Sequence, residues 1–145
     1  MLPLKSFLLI APVSLMLQVG GCPDEPPPEV DGVEVGYVAD MPEACGFCHD
    51  TSGVAVVVDE RTIQIDNFTY DGADVDVYVY VGTTGVNLKD YGFRISEELK
   101  EPYNGESVQF TLPADVTLDD FDYVAVYCYR YDEVFAGGTF FPVAP

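Results

Sequence analysis

The sequence predicts an all-β fold, a single antiparallel β-sandwich or barrel-like domain over residues 44–145. From Gly53 onward, apolar and polar residues alternate with a period of two, which is typical of half-buried strands. The runs are short and are separated by turns that contain glycine or proline, a pattern that indicates a sandwich or a barrel. Only residues 95–100 have a helical character. A domain of about 100 residues is long enough to form one hydrophobic core.

The first two predicted strands form a hairpin. Residues 54–58 are a continuous run of valine and alanine, and residues 62–66 alternate between apolar and polar side chains. The polar residues 59–61 separate the two runs and predict a tight turn. We therefore expect the two runs to pair in antiparallel fashion.

The later strands follow the same alternation. Runs over residues 75–81 and 107–112 end at turn-forming glycine and proline, and residues 139–141 predict a final edge strand. A strand over residues 123–131 places Cys128 on its apolar face. Ten tyrosines, most of them on strands, are expected to pack their rings against the domain rather than to form an electron relay.

The first part of the chain predicts export and lipidation. Residues 1–21 have a basic start and an apolar run that is shorter than the roughly 20 residues needed to span a bilayer, which is typical of a signal peptide. The run ends in Val-Gly-Gly before Cys22, which resembles the lipobox of bacterial lipoproteins. Residues 22–43 are rich in proline and acidic residues and predict a flexible tether without strands. We therefore expect a lipid on Cys22 to anchor the chain to a membrane.

The expected location is the bacterial cell envelope, at the outer membrane or the periplasmic face, which is an oxidising space. The chain has 6 basic and 25 acidic residues, and its net charge is −19. A chain so acidic lacks the basic surface that nucleic-acid binding requires, so nucleic acid is excluded as a partner. A redox protein or another envelope protein is the expected partner.

Seven segments, taken in order, resemble one known family. Each is a short motif with little specificity, but together they span residues 49–128 in the order that the family has. The segments are His49-Asp-Thr-Ser-Gly53, Asp59-Glu-Arg-Thr-Ile63, Asn67-Phe-Thr-Tyr-Asp-Gly72, Val77-Tyr-Val-Tyr-Val-Gly82, Tyr103-Asn-Gly105 with Leu112-Pro113, and Asp119-Asp-Phe-Asp-Tyr123 leading to Cys128. They resemble the DM-thirteen domain, a Skeletor-type module often found beside DOMON domains. The resemblance covers about residues 49–141.

The resemblance implies an electron-transfer domain whose redox-active residue is the cysteine of the penultimate strand, here Cys128. The chain departs from the family close to this residue. The family's Trp-Cys is Tyr127-Cys128 here, its following Phe is Tyr131, and its later Phe-Gly is Phe135-Ala136. These differences preserve the strand but change the residues near the sulfur, so the family's site is carried over at Cys128 alone.

The segment Cys45-Gly-Phe-Cys48-His49 has two interpretations. Cys-x-x-Cys-His is the attachment signature of a c-type haem, with His49 as an axial ligand. Alternatively, Cys45 and Cys48 are redox or structural thiols, because an odd number of cysteines remains once Cys22 is lipidated. The pairing among Cys45, Cys48 and Cys128 stays open at this stage. The thiol interpretation is preferred, because the family resemblance already accounts for His49.

No catalytic or metal site is predicted, because His49 is the single histidine of the chain. The working hypothesis is a membrane-tethered, non-enzymatic redox accessory module without a cofactor, with Cys128, Cys45 and Cys48 as its redox candidates. The alternatives are an envelope interaction or adhesion module with a structural disulfide, and a c-type haem protein.

Overall fold

A computed structural model describes residues 29–47 and 49–145. Two four-stranded antiparallel sheets, with strand orders β1-β2-β3-β6 and β5-β4-β7-β8, enclose one hydrophobic core. The predicted all-β sandwich is confirmed, and the sheets do not close into a barrel. The strands are β1 Val38–Met41, β2 Ser52–Asp59, β3 Thr62–Tyr70, β4 Val77–Gly82, β5 Phe93–Arg94, β6 Tyr103–Thr111, β7 Tyr123–Cys128 and β8 Glu133–Thr139.

The predicted hairpin is formed by β2 and β3. Val56 pairs with Gln64 and Val57 with Ile63, so the apolar positions of both strands point to the same side. Val57 and Ile63 are fully buried. Asp59 closes the hairpin turn. Its carboxylate accepts a hydrogen bond from the backbone N–H of Arg61 at 2.8 Å.

Arg61 in this turn holds a distant segment in place. Its guanidinium donates to the carbonyl oxygens of Leu112, Pro113 and Val116 at 2.5–2.8 Å. The segment after β6 turns here and cannot pair its carbonyl groups in a sheet, so the guanidinium satisfies them. The Asp-x-Arg motif thus has a structural role.

The predicted tether does not extend to residue 43. Val33 is 5% exposed, and β1 pairs with β2 along Val38–Met41. Val38 also exchanges backbone hydrogen bonds with Phe141 at 3.0 Å, which joins the first sheet to the end of the second. The strand is too short to show alternation in sequence, and it is stabilised by pairing with distant residues.

The helical prediction for residues 95–100 is also wrong. The single short α-helix of the described chain, α1, lies at Leu88–Tyr91 and is capped by Asn87, whose side chain accepts from the Asp90 N–H at 3.1 Å. A three-residue 3-10 helix lies at Leu118–Asp120. Within the described residues there is no helix long and apolar enough to cross a membrane.

Strand β7 lies between β4 and β8, so both of its edges are hydrogen-bonded to neighbouring strands. Val124, Val126 and Cys128 face the core between the sheets and are fully buried, as the alternation predicts. On the opposite face, Tyr127 is 2% exposed because it packs beside Leu88 of α1. Two consecutive residues of β7 therefore lie in different environments.

Candidate functional site

Cys128 is the last residue of β7. Its side chain is fully buried and carries a free thiol. The thiol donates to the carbonyl oxygen of Val75 at 3.6 Å, and the backbone pairs with Val77 of β4. The sulfur is therefore held between β7 and the segment that precedes β4.

The surroundings of Cys128 favour the protonated thiol. Burial raises its pKa, and the negative charges of Asp74 and Asp76 raise it further. The backbone N–H groups of Tyr131 and Arg130 partly offset this effect. Because the thiolate is the nucleophilic form, this thiol is poorly suited to attack at neutral pH.

The loop over residues 71–76 contacts the thiol through the carbonyl oxygen of Val75. It begins after β3 with Gly72 at φ +72°, where a Cβ would lie 2.7 Å from the backbone nitrogen of Pro102. It ends at Asp76, whose carbonyl accepts a hydrogen bond from the Tyr129 N–H at 2.9 Å. A residue other than glycine would displace this turn, and with it the loop that contacts Cys128.

His49 connects the segment before β2 to this loop. Its Nδ1 lies 2.8 Å from Oδ2 of Asp71, and its Nε2 lies 3.5 Å from Oδ2 of Asp74. Its ring packs on Phe135 of β8, with 5.1 Å between the ring centroids. The imidazole thus joins three parts of the chain that are far apart in sequence.

Tyr70 packs beside His49 and Phe135 in the site. Its ring lies 6.4 Å from that of Phe135 and 6.5 Å from that of His49, and its hydroxyl oxygen accepts from the Asp74 N–H at 3.3 Å. Burial, with added charge from Asp71, Asp74 and Cys128, raises the pKa of Tyr70 to about 12. The phenol stays neutral at physiological pH.

Three residues of the site have a left-handed backbone. The φ angles are +62° at His49, +49° at Asp50 and +56° at Asp76. Such a conformation costs energy for a residue other than glycine, and it persists only where the surroundings impose it. Three of the five such residues in the described chain lie in the two segments that His49 joins, and this end of the sandwich is therefore the candidate functional site.

The other predicted thiols are in different states. Cys45 is disulfide-bonded and packs against the core that contains Cys128, whereas Cys128 is free, so the two are not paired with each other. Cys22, Cys48 and the predicted signal peptide lie outside the described residues. Ala44 donates its N–H to the Phe135 carbonyl at 2.8 Å, which places the chain beside Cys45 along β8.

The surroundings of His49 do not fit a haem. Both ring nitrogens face carboxylates, and one face of the ring is covered by Phe135, so an axial iron bond would have to replace an existing contact. Cys45 is disulfide-bonded and would have to be reduced before it could form a thioether. Among the described residues, no cluster of three or more His, Cys, Asp or Glu could hold a metal ion.

The sequence identified Cys128 and its face, but it missed the side chains around it. The spacing of Asp71 and Asp74 does not indicate a contact with His49, and Tyr70 was expected only to pack its ring against the domain. A single histidine in a chain with 25 acidic residues was the available signal that carboxylates would surround it. Which carboxylates do so depends on the pairing of the sheets.

The fold and the site together define a class of protein: a small β-sandwich domain with a buried free thiol at the end of a central strand. Residues 46–137, more than half of the chain, match the family described as "Electron transfer DM13". The chain therefore belongs to the DM13 family, as the resemblance in its motifs predicted.

Two curated relatives are similar to part of the chain. Protein Skeletor of Drosophila melanogaster, in isoforms B/C and in isoforms D/E, is 35% identical over 86 residues, or 55% of this chain. The chain covers 11% of the length of isoforms B/C and 6% of that of isoforms D/E. No solved structure matches the chain.

Proposed function

We propose that the chain is a redox accessory module whose active group is the Cys128 thiol. The observation that carries the proposal is a free, fully buried thiol at the strained end of the sandwich, in a domain of the electron-transfer DM13 family. The disulfide of Cys45 provides the second redox group. Cys128 belongs to the hydrophobic core, and Cys45 packs against the same core.

The proposed step is thiol–disulfide exchange. Cys128 loses its proton, and its thiolate attacks one sulfur of the Cys45 disulfide. A new disulfide to Cys128 forms as the old S–S bond breaks, and the departing thiolate takes up a proton. A partner dithiol supplies two electrons and two protons when the disulfide is reduced. We propose Cys48 as the partner of Cys45, because it is the cysteine nearest in sequence.

The burial of Cys128 determines when this step can occur. The raised pKa leaves little thiolate at neutral pH, and the thiol is fully buried with its hydrogen bond directed to Val75 of the loop over residues 71–76. Exchange therefore requires local opening of this loop. The rate is expected to rise with pH, because deprotonation supplies the attacking form.

Non-reducing peptide mapping tests the exchange. The purified full-length chain is equilibrated in glutathione buffers of increasing oxidising strength, quenched with acid, digested and analysed by mass spectrometry. We expect a peptide that links Cys128 to the segment of Cys45 to increase with a defined midpoint. Cys128→Ser serves as the negative control, and Cys22→Ser as the control that keeps both redox groups. If Cys128 stays unlinked in every buffer, the redox proposal is wrong.

A second part of the proposal concerns location. We propose that Cys22 is lipidated and that the acidic segment after it tethers the domain to an envelope membrane. Its basis is the sequence of residues 1–28. Metabolic labelling with an alkynyl fatty acid should mark the wild-type chain in the membrane fraction and leave Cys22→Ser unlabelled and released. Labelling of Cys22→Ser would contradict it.

An interaction module is the alternative function. Phe47, two residues from Cys45, is 96% exposed, and aromatic residues are enriched at protein–protein interfaces. The net charge of −19 favours a basic partner. If Phe47→Ser abolishes capture of an envelope partner while Cys128→Ser leaves it intact, the interaction function is favoured over the redox function.

A further inference from the structure

The outer face of β7 carries a second chemical group, centred on Tyr127. Its hydroxyl donates a hydrogen bond to Oδ1 of Asp132, an exposed residue in the turn that follows β7. Asn87 donates to both carboxylate oxygens of Asp132 at 3.1 Å and so fixes its position. A phenol is thus held in contact with a base that is open to water.

The rest of the phenol is shielded. Tyr127 is 2% exposed, and its ring meets that of Tyr80 edge-on with 5.1 Å between the centroids. A cavity of about 240 Å³ opens beside the phenol and is lined by Asn87, Leu88, Tyr123, Tyr127, Asp132 and Val134. A small molecule in this cavity could therefore reach the hydroxyl and the carboxylate together.

From this geometry, we propose that Tyr127 and Asp132 form a site of proton-coupled one-electron oxidation. Tyr127 gives one electron to a one-electron oxidant strong enough to oxidise a phenol, such as a high-valent metal complex or an organic radical. The phenolic proton moves along the existing hydrogen bond to Asp132. The products are a neutral tyrosyl radical, a protonated Asp132 and an oxidant reduced by one electron.

The charged groups nearby make Tyr127 easier to oxidise than the neighbouring tyrosines Tyr78 and Tyr80. The guanidinium of Arg94 lies 3.6 Å from the ring centroid of Tyr78 and 6.0 Å from that of Tyr80. A positive charge at these distances disfavours the removal of an electron from either ring. Tyr127 instead has a carboxylate on its hydroxyl. The proposal does not depend on the proposed role of Cys128, whose side chain lies on the opposite face of β7.

The test uses the full-length chain and tris(bipyridine)ruthenium(III) generated by a light flash. Tyrosyl radicals are followed by transient absorption and identified by EPR after freeze-quenching. We expect a fast phase of radical formation that slows in D₂O, because the proton moves together with the electron. Tyr127→Phe should abolish this fast phase. Asp132→Asn should slow it by about 10²-fold, the typical contribution of a positioned base.

Matched variants separate this chemistry from a structural role. Tyr131→Phe removes an exposed tyrosine, and Asp115→Asn removes an exposed carboxylate elsewhere, so both should keep the fast phase and its isotope effect. Cys128→Ser should also keep it, whether or not the thiol proves redox-active. An unchanged fast phase in Tyr127→Phe or in Asp132→Asn overturns the proposal, as does its loss from Cys128→Ser.

Discussion

Cys128 and Tyr127 are neighbours on β7 and lie on opposite faces of one sheet. The Cys128 thiol donates a hydrogen bond to the carbonyl oxygen of Val75, which is not a base at physiological pH. The Tyr127 hydroxyl donates a hydrogen bond to the carboxylate of Asp132, which is a base. Because side chains alternate along a strand, the thiol and the phenol of two consecutive residues donate to acceptors of different basicity. The predictions below test this difference.

The largest expected effect is a loss of stability on the Cys128 face. Phe135 is 3% exposed and supports both His49 and Tyr70, so Phe135→Ala should lower the free energy of unfolding by about 3–5 kcal/mol. Tyr131→Ala, at a 61% exposed position of the same hairpin, should stay within about 0.5 kcal/mol of the wild type. Urea unfolding measures both. Equal losses would show that Phe135 is not part of a packed site.

The next effect concerns access to the thiol. His49→Asn keeps a residue type that tolerates positive φ but removes the contacts with Asp71 and Asp74. A hydrogen bond to a charged group contributes about 1.5 kcal/mol, so opening of the loop, and alkylation of Cys128, should become about tenfold faster. Iodoacetamide labelling followed by intact mass measures the rate. Asp132→Asn should leave it unchanged, and an equal acceleration there would remove the distinction between the two faces.

A smaller effect is expected from the Tyr127 hydroxyl alone. Tyr127→Phe keeps the ring packing but removes the hydrogen bond to Asp132, so the free energy of unfolding should fall by about 1 kcal/mol. Tyr91→Phe, at a 61% exposed tyrosine, provides the control and should have no measurable effect. Chemical denaturation of both variants, followed by circular dichroism, gives the comparison. A stabilised Tyr127→Phe would contradict the inferred hydrogen bond.

The loss of protein stability at alkaline pH tests the Cys128 face, through Tyr70. Because the pKa of Tyr70 is raised from 10.0 to about 12, its contribution to stability is complete below pH 10 and is lost as the pH rises through the folded value. Tyr70→Phe should remove that part of the pH dependence. Thermal melts between neutral and alkaline pH test this, and an unchanged alkaline slope would show that Tyr70 titrates normally.

The loss of protein stability at acid pH tests the Tyr127 face, through Asp132, and is expected to be the smallest effect. The hydrogen bonds from Tyr127 and Asn87 lower the pKa of Asp132 below its ordinary 3.8. Its contribution is therefore present above that value and is lost as the pH falls through the lower folded pKa. Asp132→Asn should flatten this part of the acid unfolding curve. Asp115→Asn, an exposed carboxylate elsewhere, should not flatten it.

The strands that the sequence predicts correctly are those with a clear period of two. The β2–β3 hairpin and the inward position of Cys128 follow from local alternation alone. β1 was missed because its four residues, Val38–Met41, lie in an acidic, proline-containing stretch and owe their conformation to β2. α1 was missed because it is one turn long and depends on the Asn87 cap.

The sequence by itself determined the class of fold, the family and the identity of the buried thiol, because these depend on local periodicity and on motifs in a fixed order. The tertiary structure alone decided what surrounds each group. His49 meets Asp71 and Asp74 because antiparallel pairing of β2 with β3 returns the chain to the segment before β2. Asp132 meets Tyr127 because the turn after β7 folds back over the outer face of its own strand. Contacts of this kind depend on register and turn geometry, which composition and spacing do not specify.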